Sequence, residues 1–159
     1  MKTAEKILTM PELLDKLESW RDSGKIVFTN GCFDILHLGH IDYLEKAAEK
    51  GHKLIVGLNT DTSVQKLKGP QRPLNNEYSR ARILAALQFV DAVVLFEEDT
   101  PLNLIMSIIP DILVKGDDYV IGNIIGADFV ISKGGKVETV ALVKGHSTTN
   151  LISKIQHNQ

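Results

Sequence analysis

The 159-residue sequence has one cysteine, Cys32, and one tryptophan, Trp20. A single thiol excludes an internal disulfide and a cysteine-built zinc cluster, and it suits a reducing compartment such as the cytoplasm. No apolar run is long enough to cross a membrane. The first residues carry Lys2, Glu5 and Lys6 and lack the unbroken apolar core of a secretory leader. Charge of one sign is missing too. Eighteen Lys and Arg against twenty Asp and Glu leave a formal charge of −2. That balance excludes a generally basic surface for nucleic acid. There is no internal repeat, low-complexity tract or Pro/Gly/Ser-rich linker, so the length fits one core.

What is present is patterned. From Val64 to Arg82 five bases (Lys66, Lys68, Arg72, Arg80 and Arg82) face the single acid Glu77, a net of +4 that leaves −6 elsewhere. A charge run of this kind is commonly a solvated face. Pro11–Ser23 spaces Leu13, Leu14 and Leu17 as an amphipathic helix that Gly24 stops. Short β-branched runs at 25–30, 53–59, 92–96, 112–114 and 137–143 read as strands. Helices are expected over 40–50 and 77–89, from Thr100-Pro101 to Pro110, and from a Ser147 cap to Ile155. Strands alternating with helices predict an α/β fold, a Rossmann-like doubly wound parallel sheet in a single domain. Such sheets bind ligands beyond their strand C-termini. Four segments fall at that edge: 31–40, 59–68, 115–119 and 144–149.

In the first of these, Asn30-Gly31-Cys32-Phe33-Asp34 leads from a strand toward a helix bearing His37, Gly39 and His40. Histidines three apart face the same way on a helical turn. A helix start offers free N–H groups and a positive dipole end, so two imidazoles there suit a phosphate. The same spacing also admits a metal pair, although no third ligand is evident nearby, or two surface histidines without a role. Asp34 is either an orienting acid for His37, a partner for a lysine, or a turn residue.

The run from Gly31 to His40 resembles the G-x-F-D-x-x-H-x-G-H signature of the cytidylyltransferase-like nucleotidyltransferases. Gly145-His146-Ser147-Thr148-Thr149 resembles their second signature, G-x-S-T-[ST]. Lys66-Leu67-Lys68-Gly69-Pro70-Gln71-Arg72-Pro73, with Arg80 downstream, is similar to the heptose-phosphate adenylyltransferase branch, as is Phe96–Pro101. The third segment departs from that branch. Its usual Lys-Gly-Gly-Asp-Tyr is here Lys115-Gly116-Asp117-Asp118-Tyr119, closer to the Gly-Asp-Asp-aromatic of glycerol-3-phosphate cytidylyltransferases.

The resemblance spans Lys25 to Ile155. It implies a nucleotidyltransferase domain over 25–159 behind an N-terminal helical extension over 1–24. It implies direct in-line transfer of AMP from ATP to D-glycero-β-D-manno-heptose 1-phosphate, with Mg²⁺ bridging the nucleotide phosphates and no protein metal cage. His37, His40, Lys68 and Arg80 would be catalytic. Asn30, Gly31, Cys32, Phe33, Asp34, Gly39, Asn59, Asp61, Lys115, Gly116, Asp118, His146, Ser147, Thr148 and Thr149 would bind nucleotide, and Lys66 and Arg72 the acceptor. Cys32 would be a packing residue with no thiol chemistry. The family's habits imply a homo-oligomer with small-molecule substrates and neither nucleic acid nor membrane as partner. A cytidylyltransferase acting on glycerol 3-phosphate and a non-catalytic nucleotide-binding module are the alternatives.

Overall fold

The computed structural model describes residues 2–157, so residues 1, 158 and 159 of the expected ranges lie outside the described residues. Five strands form one sheet: β1 (Ile26–Gly31), β2 (Lys53–Asn59), β3 (Ala92–Phe96), β4 (Ile112–Gly116) and β5 (Lys136–Val140). Every neighbouring pair is parallel and the order is β3-β2-β1-β4-β5. The chain winds outward from β1 through β2 to β3, then crosses back to β4 and β5. The two halves therefore diverge at the β1–β4 seam, the switch point where such sheets open a crevice.

The pairing is uneven across that seam. β1 pairs with β2 over six positions, from Ile26↔Lys53 to Gly31↔Leu58, but with β4 over only Val27↔Ile112 and Phe28↔Leu113. Beyond Phe28 the strands part, and the end of each is left to line a cleft.

Helices cover both faces because the strands are apolar on both sides, as buried parallel strands must be. One face packs Leu13 and Leu17 of α1 (Met10–Ser23), Ile105 and Ile108 of α5 (Leu102–Ile108), and Val130 of α6 (Ala127–Ser132) against Phe28, Ile55 and Leu113. The other packs Leu44 and Ala47 of α2 (Leu38–Ala48) and Leu84 of α4 (Glu77–Ala86) against Val27, Val56 and Val114. The N-terminal helix is docked in the main core: Leu13 is fully buried and Trp20 packs against the same cluster. Thr9 and Glu12 close its start as a capping box, with Glu12 Oε2 2.8 Å from the Thr9 amide.

Several boundaries differ from the sequence reading. The second helix begins at Leu38, so Gly39 and His40 lie inside it and His37 becomes its cap. Residues 61–68, read only as a crevice segment, form α3 (Asp61–Lys68), whose Thr60 cap accepts from the Ser63 amide at 3.3 Å. The fifth helix is capped by Pro101 itself and stops at Ile109, whose φ of 48° turns the chain before Pro110. The last strand ends at Val140, three residues early. The final helix is α7 (Thr148–His157), with the Ser147 hydroxyl accepting from the Asn150 amide at 3.1 Å, as the cap reading required.

Candidate active site

A cavity of about 380 Å³ opens at the strand C-termini. Its walls are the β1–α2 connection, the end of α3, the turn after β4, the segment that follows β5 and the start of α7. All four segments expected at the crevice contribute.

The histidine pair is built by the helix start. His37 sits at the cap with extended backbone, so its ring folds back over the first turn, where His40 meets it. The two rings stack with centroids 3.9 Å apart and 23° between planes. The ring of Phe33, at a backbone φ of 45°, meets His40 edge-on at 5.2 Å. Gly39 is required between them. A Cβ there would lie 3.0 Å from the His37 ring and 3.3 Å from the His146 carbonyl oxygen. The glycine thus lets the α7 approach lie directly against the α2 start, which brings two helix N-termini to one place.

Both imidazoles are held neutral at neutral pH. Burial is the main cause for His37, with His146 adding to it. Burial, then His37 and Lys68, pulls His40 down to about 4. Nδ1 of both rings is buried and has no hydrogen-bond partner. The cavity the two rings line also takes in Lys68 and Lys115, whose charges make it receptive to an anion.

Lys115 lies on the cavity floor where β1 and β4 part, its Nζ 2.5 Å from Asn30 Oδ1 and 5.5 Å from the Tyr119 ring centroid. Gly116 permits the following turn to fold inward, since a Cβ there would meet Asp118 Oδ1 at 2.6 Å. Asp117, the departure from the expected motif, is elsewhere. Its carboxylate accepts from the Leu142 amide at 3.3 Å and its own amide bonds the Val140 carbonyl, so it ties the β4 turn to the end of β5. It does not line the cavity.

The cavity collects His37, His40, Lys68, Asn30, Gly31, Cys32, Phe33, Asp34, Gly39, Lys115, Gly116, Asp118, His146, Ser147, Thr148 and Thr149 of the expected residues. It does not collect Arg80, Arg72, Lys66, Asn59 or Asp61. The reason is visible in their bonds. Arg80 is 1% exposed. Its guanidinium donates to the carbonyls of Cys32, Asn59 and Asn75 and to Asp61 Oδ1, all at 2.7–2.9 Å. The expected phosphate contact is therefore corrected: Arg80 spends its donors holding three loops and the α3 start in register. Asn59 bonds the Ser63 hydroxyl at 2.9 Å, and Asp61 is the arginine's partner, so both serve the same framework.

Arg72 is likewise engaged. Its Nε donates to Asp34 Oδ2 at 2.7 Å, while the Leu74 and Asn75 amides donate to the same carboxylate. Burial would raise the Asp34 carboxyl, but the Asn75 and Leu74 amides and Arg72 outweigh it and bring its pKa down. Asp34 thus neither orients His37 nor pairs with a lysine. It clamps the loop that follows Lys68.

Four lining residues are not among the expected site residues: Tyr43, Tyr119, Leu142 and Val143, of which only Tyr119 lies in an expected crevice segment. Tyr43 lies on the buried face of α2. Its hydroxyl bonds Thr29 Oγ1 at 2.7 Å and the Val114 carbonyl at 3.0 Å, closing the cavity's base. Its spacing of three from His40 was the available signal. Leu142 and Val143 carried none, since their role depends on the early end of β5.

A family model described as cytidylyltransferase-like matches residues 28–150. The chain belongs to that family. Among curated relatives, the Bifunctional protein HldE of Syntrophotalea carbinolica is 56% identical over 151 residues, 94% of this chain and 31% of that protein. The HldE of Methylobacillus flagellatus is 52% identical over 153 residues, 96% of this chain and 31% of its own. The chain thus spans about a third of the length of the curated relatives it matches. Among solved structures, the lipopolysaccharide core biosynthesis protein from Thermoplasma volcanium has a TM-score of 0.61 at 30% identity, covering 77% of this chain and 99% of that one. A Francisella tularensis pantoate-β-alanine ligase complexed with β,γ-ATP and β-alanine shares the fold, with a TM-score of 0.58 at 16% identity over 94% of this chain and 76% of its own.

Among the described residues no three His, Cys, Asp or Glu side chains converge to hold a metal. Asp34 is consumed by its own donors, which leaves Asp118 as the free carboxylate on the wall. This donor set fits Mg²⁺ carried in on phosphate oxygens, with water and at most one carboxylate from the protein. No helix among the described residues is long and apolar enough to cross a membrane.

Proposed function

We propose that the chain is a nucleotidyltransferase that moves the adenylyl group of ATP to D-glycero-β-D-manno-heptose 1-phosphate, giving ADP-heptose and pyrophosphate. The observation that carries this reading is the stacked His37–His40 pair at the α2 start, packed through Gly39 against the approach to α7. Two converging helix N-termini with two imidazoles form a site for a polyphosphate. The heptose acceptor rests on the sequence likeness of the 66–73 and 96–101 segments, and on relatives more than 50% identical over nearly the whole chain.

An oxygen of the acceptor's phosphate attacks the α-phosphorus, and the bond from that phosphorus to the β-phosphate bridging oxygen breaks. Pyrophosphate leaves with the electron pair. The attacking phosphate is already ionised at neutral pH, so no general base is needed, and the protein's task is position and charge. His37 and His40 hold the α- and β-phosphate oxygens, each offering an N–H as charge builds on them. Ser147, Thr148 and Thr149 offer hydroxyls and backbone N–H groups to the β- and γ-phosphates. Lys68, on the exposed end of α3, reaches over the cavity mouth toward the reacting phosphates. Bound Mg²⁺ would neutralise the triphosphate and steady the leaving pyrophosphate.

Incubation with ATP or CTP, paired with heptose 1-phosphate or glycerol 3-phosphate and followed by pyrophosphate release, tests the reading. ADP-heptose from the first pair is the expected product. A CDP product from the other pair, without ADP-heptose, would replace it with the cytidylyltransferase reading. That reading loses its main sequence support once Asp117 is seen to bond the end of β5 rather than face the cavity. In keeping with these soluble substrates, we propose a cytoplasmic enzyme that assembles as a homo-oligomer and needs neither membrane nor nucleic acid.

A further inference from the structure

We infer that Lys115 is the cation that grips the phosphate monoester of the acceptor, at the floor of the β1–β4 seam, while the two helix starts take the triphosphate. The inference rests on the adenylyltransferase reading and adds to it a division of the cavity between the two anions. The sequence groups Lys115 with the nucleotide; its place in the fold points to the acceptor.

The geometry begins with what Lys115 lacks. Its ammonium has one hydrogen bond, to Asn30 Oδ1, and among the described residues it takes part in none of the five ion pairs. A largely buried cation with no carboxylate within ion-pair distance, Asp118 acting on it only from farther off, is costly, and a stable fold keeps one where a ligand supplies more charge. The ammonium has two further N–H donors. Asn30 fixes it from the neighbouring strand, so it is held where the two strand ends separate rather than free to swing toward solvent.

The other bases leave this task to it. Within the +4 segment, Arg80 is consumed by Asp61 and loop carbonyls, Arg72 is held by Asp34 through Nε with its Nη2 buried away from the cavity, and neither they nor Lys66 line the cavity. Lys68 and Lys115 are the lysines that do. The leaving pyrophosphate has the α7 start, and the α-phosphate has the imidazoles. An incoming monoester carries two further negative charges on the opposite side of the reacting phosphorus. Lys68 at the rim and Lys115 at the floor supply the two compensating charges.

The groups around Lys115 make this measurable. Cys32 of the β1–α2 connection, Asp118 and Tyr119 of the turn after β4, Tyr43 of α2 and His40 line the same cavity. Burial pulls the ammonium down to about 8, with Asp118 and Cys32 opposing. The free site is therefore only partly charged near pH 8, and a bound dianion completes its protonation.

The test compares wild type, Lys115→Met and Lys115→Arg in steady-state kinetics, varying ATP and heptose 1-phosphate separately. Lys115→Met is expected to raise the acceptor KM about 10- to 100-fold and to change the ATP KM by less than about threefold. Lys115→Arg recovers part of the acceptor affinity and keeps it at pH 9, because guanidinium does not deprotonate there. Titration calorimetry at pH 8 in buffers of different ionisation enthalpy should show wild type taking up about half a proton with the acceptor, and Lys115→Met taking up none. Thermal melting of Lys115→Met at or above wild type confirms that the change is not unfolding. A rise in the ATP KM in place of the acceptor KM overturns the inference, as does equal proton uptake in both proteins. Were wild type active only with CTP and glycerol 3-phosphate, the heptose reading would fall while the same KM split, measured with that pair, still decided Lys115. Inactivity with every pair overturns both.

Discussion

Replacing Asp34 with alanine isolates the clamp that holds the loop after Lys68. The Asp34 carboxylate is 1% exposed and Arg72 19%. The carboxylate accepts four hydrogen bonds of 2.7–3.0 Å from three donors: Arg72 Nε and the Leu74 and Asn75 amides. Without it each donor loses its acceptor, at about 1–3 kcal/mol apiece taken singly. The three belong to one network and do not add, and water reaches the guanidinium in part. The expected loss is that of a broken buried ion pair, about 3–5 kcal/mol. For a chain of this size that lowers Tm by about 6–20 °C in a thermal melt. Asp34→Ala/Arg72→Met removes the stranded cation as well and should recover about 1–2 kcal/mol relative to simple addition. Because the folded-state carboxyl lies below its ordinary value of 3.8, the contribution is fully present above that value. It disappears as pH falls through the folded pKa, so the gap between wild type and variant closes in acid. A Tm change below about 3 °C, or strict additivity in the double variant, refutes the clamp.

Further outcomes follow from the same geometry. His37→Ala and His40→Ala should each lower kcat about 10²- to 10³-fold while changing the ATP KM far less; undiminished turnover in both variants removes the phosphate-stabilising role. With His40 held at about 4 against an ordinary 6.5, the unfolded chain binds more protons between those values. Stability, read as the urea midpoint, should therefore be complete above pH 6.5 and fall as pH drops toward 4, and His37→Gln/His40→Gln should flatten that slope. Leu17→Ala should cost about 2–5 kcal/mol in urea unfolding. A loss under about 1 kcal/mol would show that α1 is dispensable to the core.

The sheet, its parallel sense and the edge where the site lies were legible because buried parallel strands leave short apolar runs separated by helical periods. The histidine pair was legible because its spacing and glycine are fixed by backbone geometry, not by distant contacts. Arg80 was misread for the opposite reason. A basic residue in a positive segment looks identical in sequence whether it faces a phosphate or three backbone carbonyls, and only the fold brings Cys32, Asn59 and Asn75 to it. The same holds for Asp34, whose partners lie 38 to 41 residues away. The α3 helix was missed because its mean hydropathy is low and only Ser63 and Val64 are buried, leaving a polar stretch that resembles a loop. Asp117 and Asp118 are adjacent and identical, yet a single turn sends one to the end of β5 and the other into the cavity.

The Arg80 web has one more consequence, for how freely this site can change. Three of its four bonds end on main-chain oxygens, which every amino acid supplies. The loop positions it anchors can therefore exchange side chains without losing their mounting. Position 32, whose backbone is pinned and whose thiol makes only a long 3.8 Å contact to Asn59 Oδ1, is one cavity-lining place where such exchange can occur. Selection or engineering can rewrite what the pocket wall presents to an acceptor at that point while the strand ends stay where they are. The costs of altering specificity should thus concentrate at Arg80 and Asp61, and fall lightly on the residues that meet the substrate.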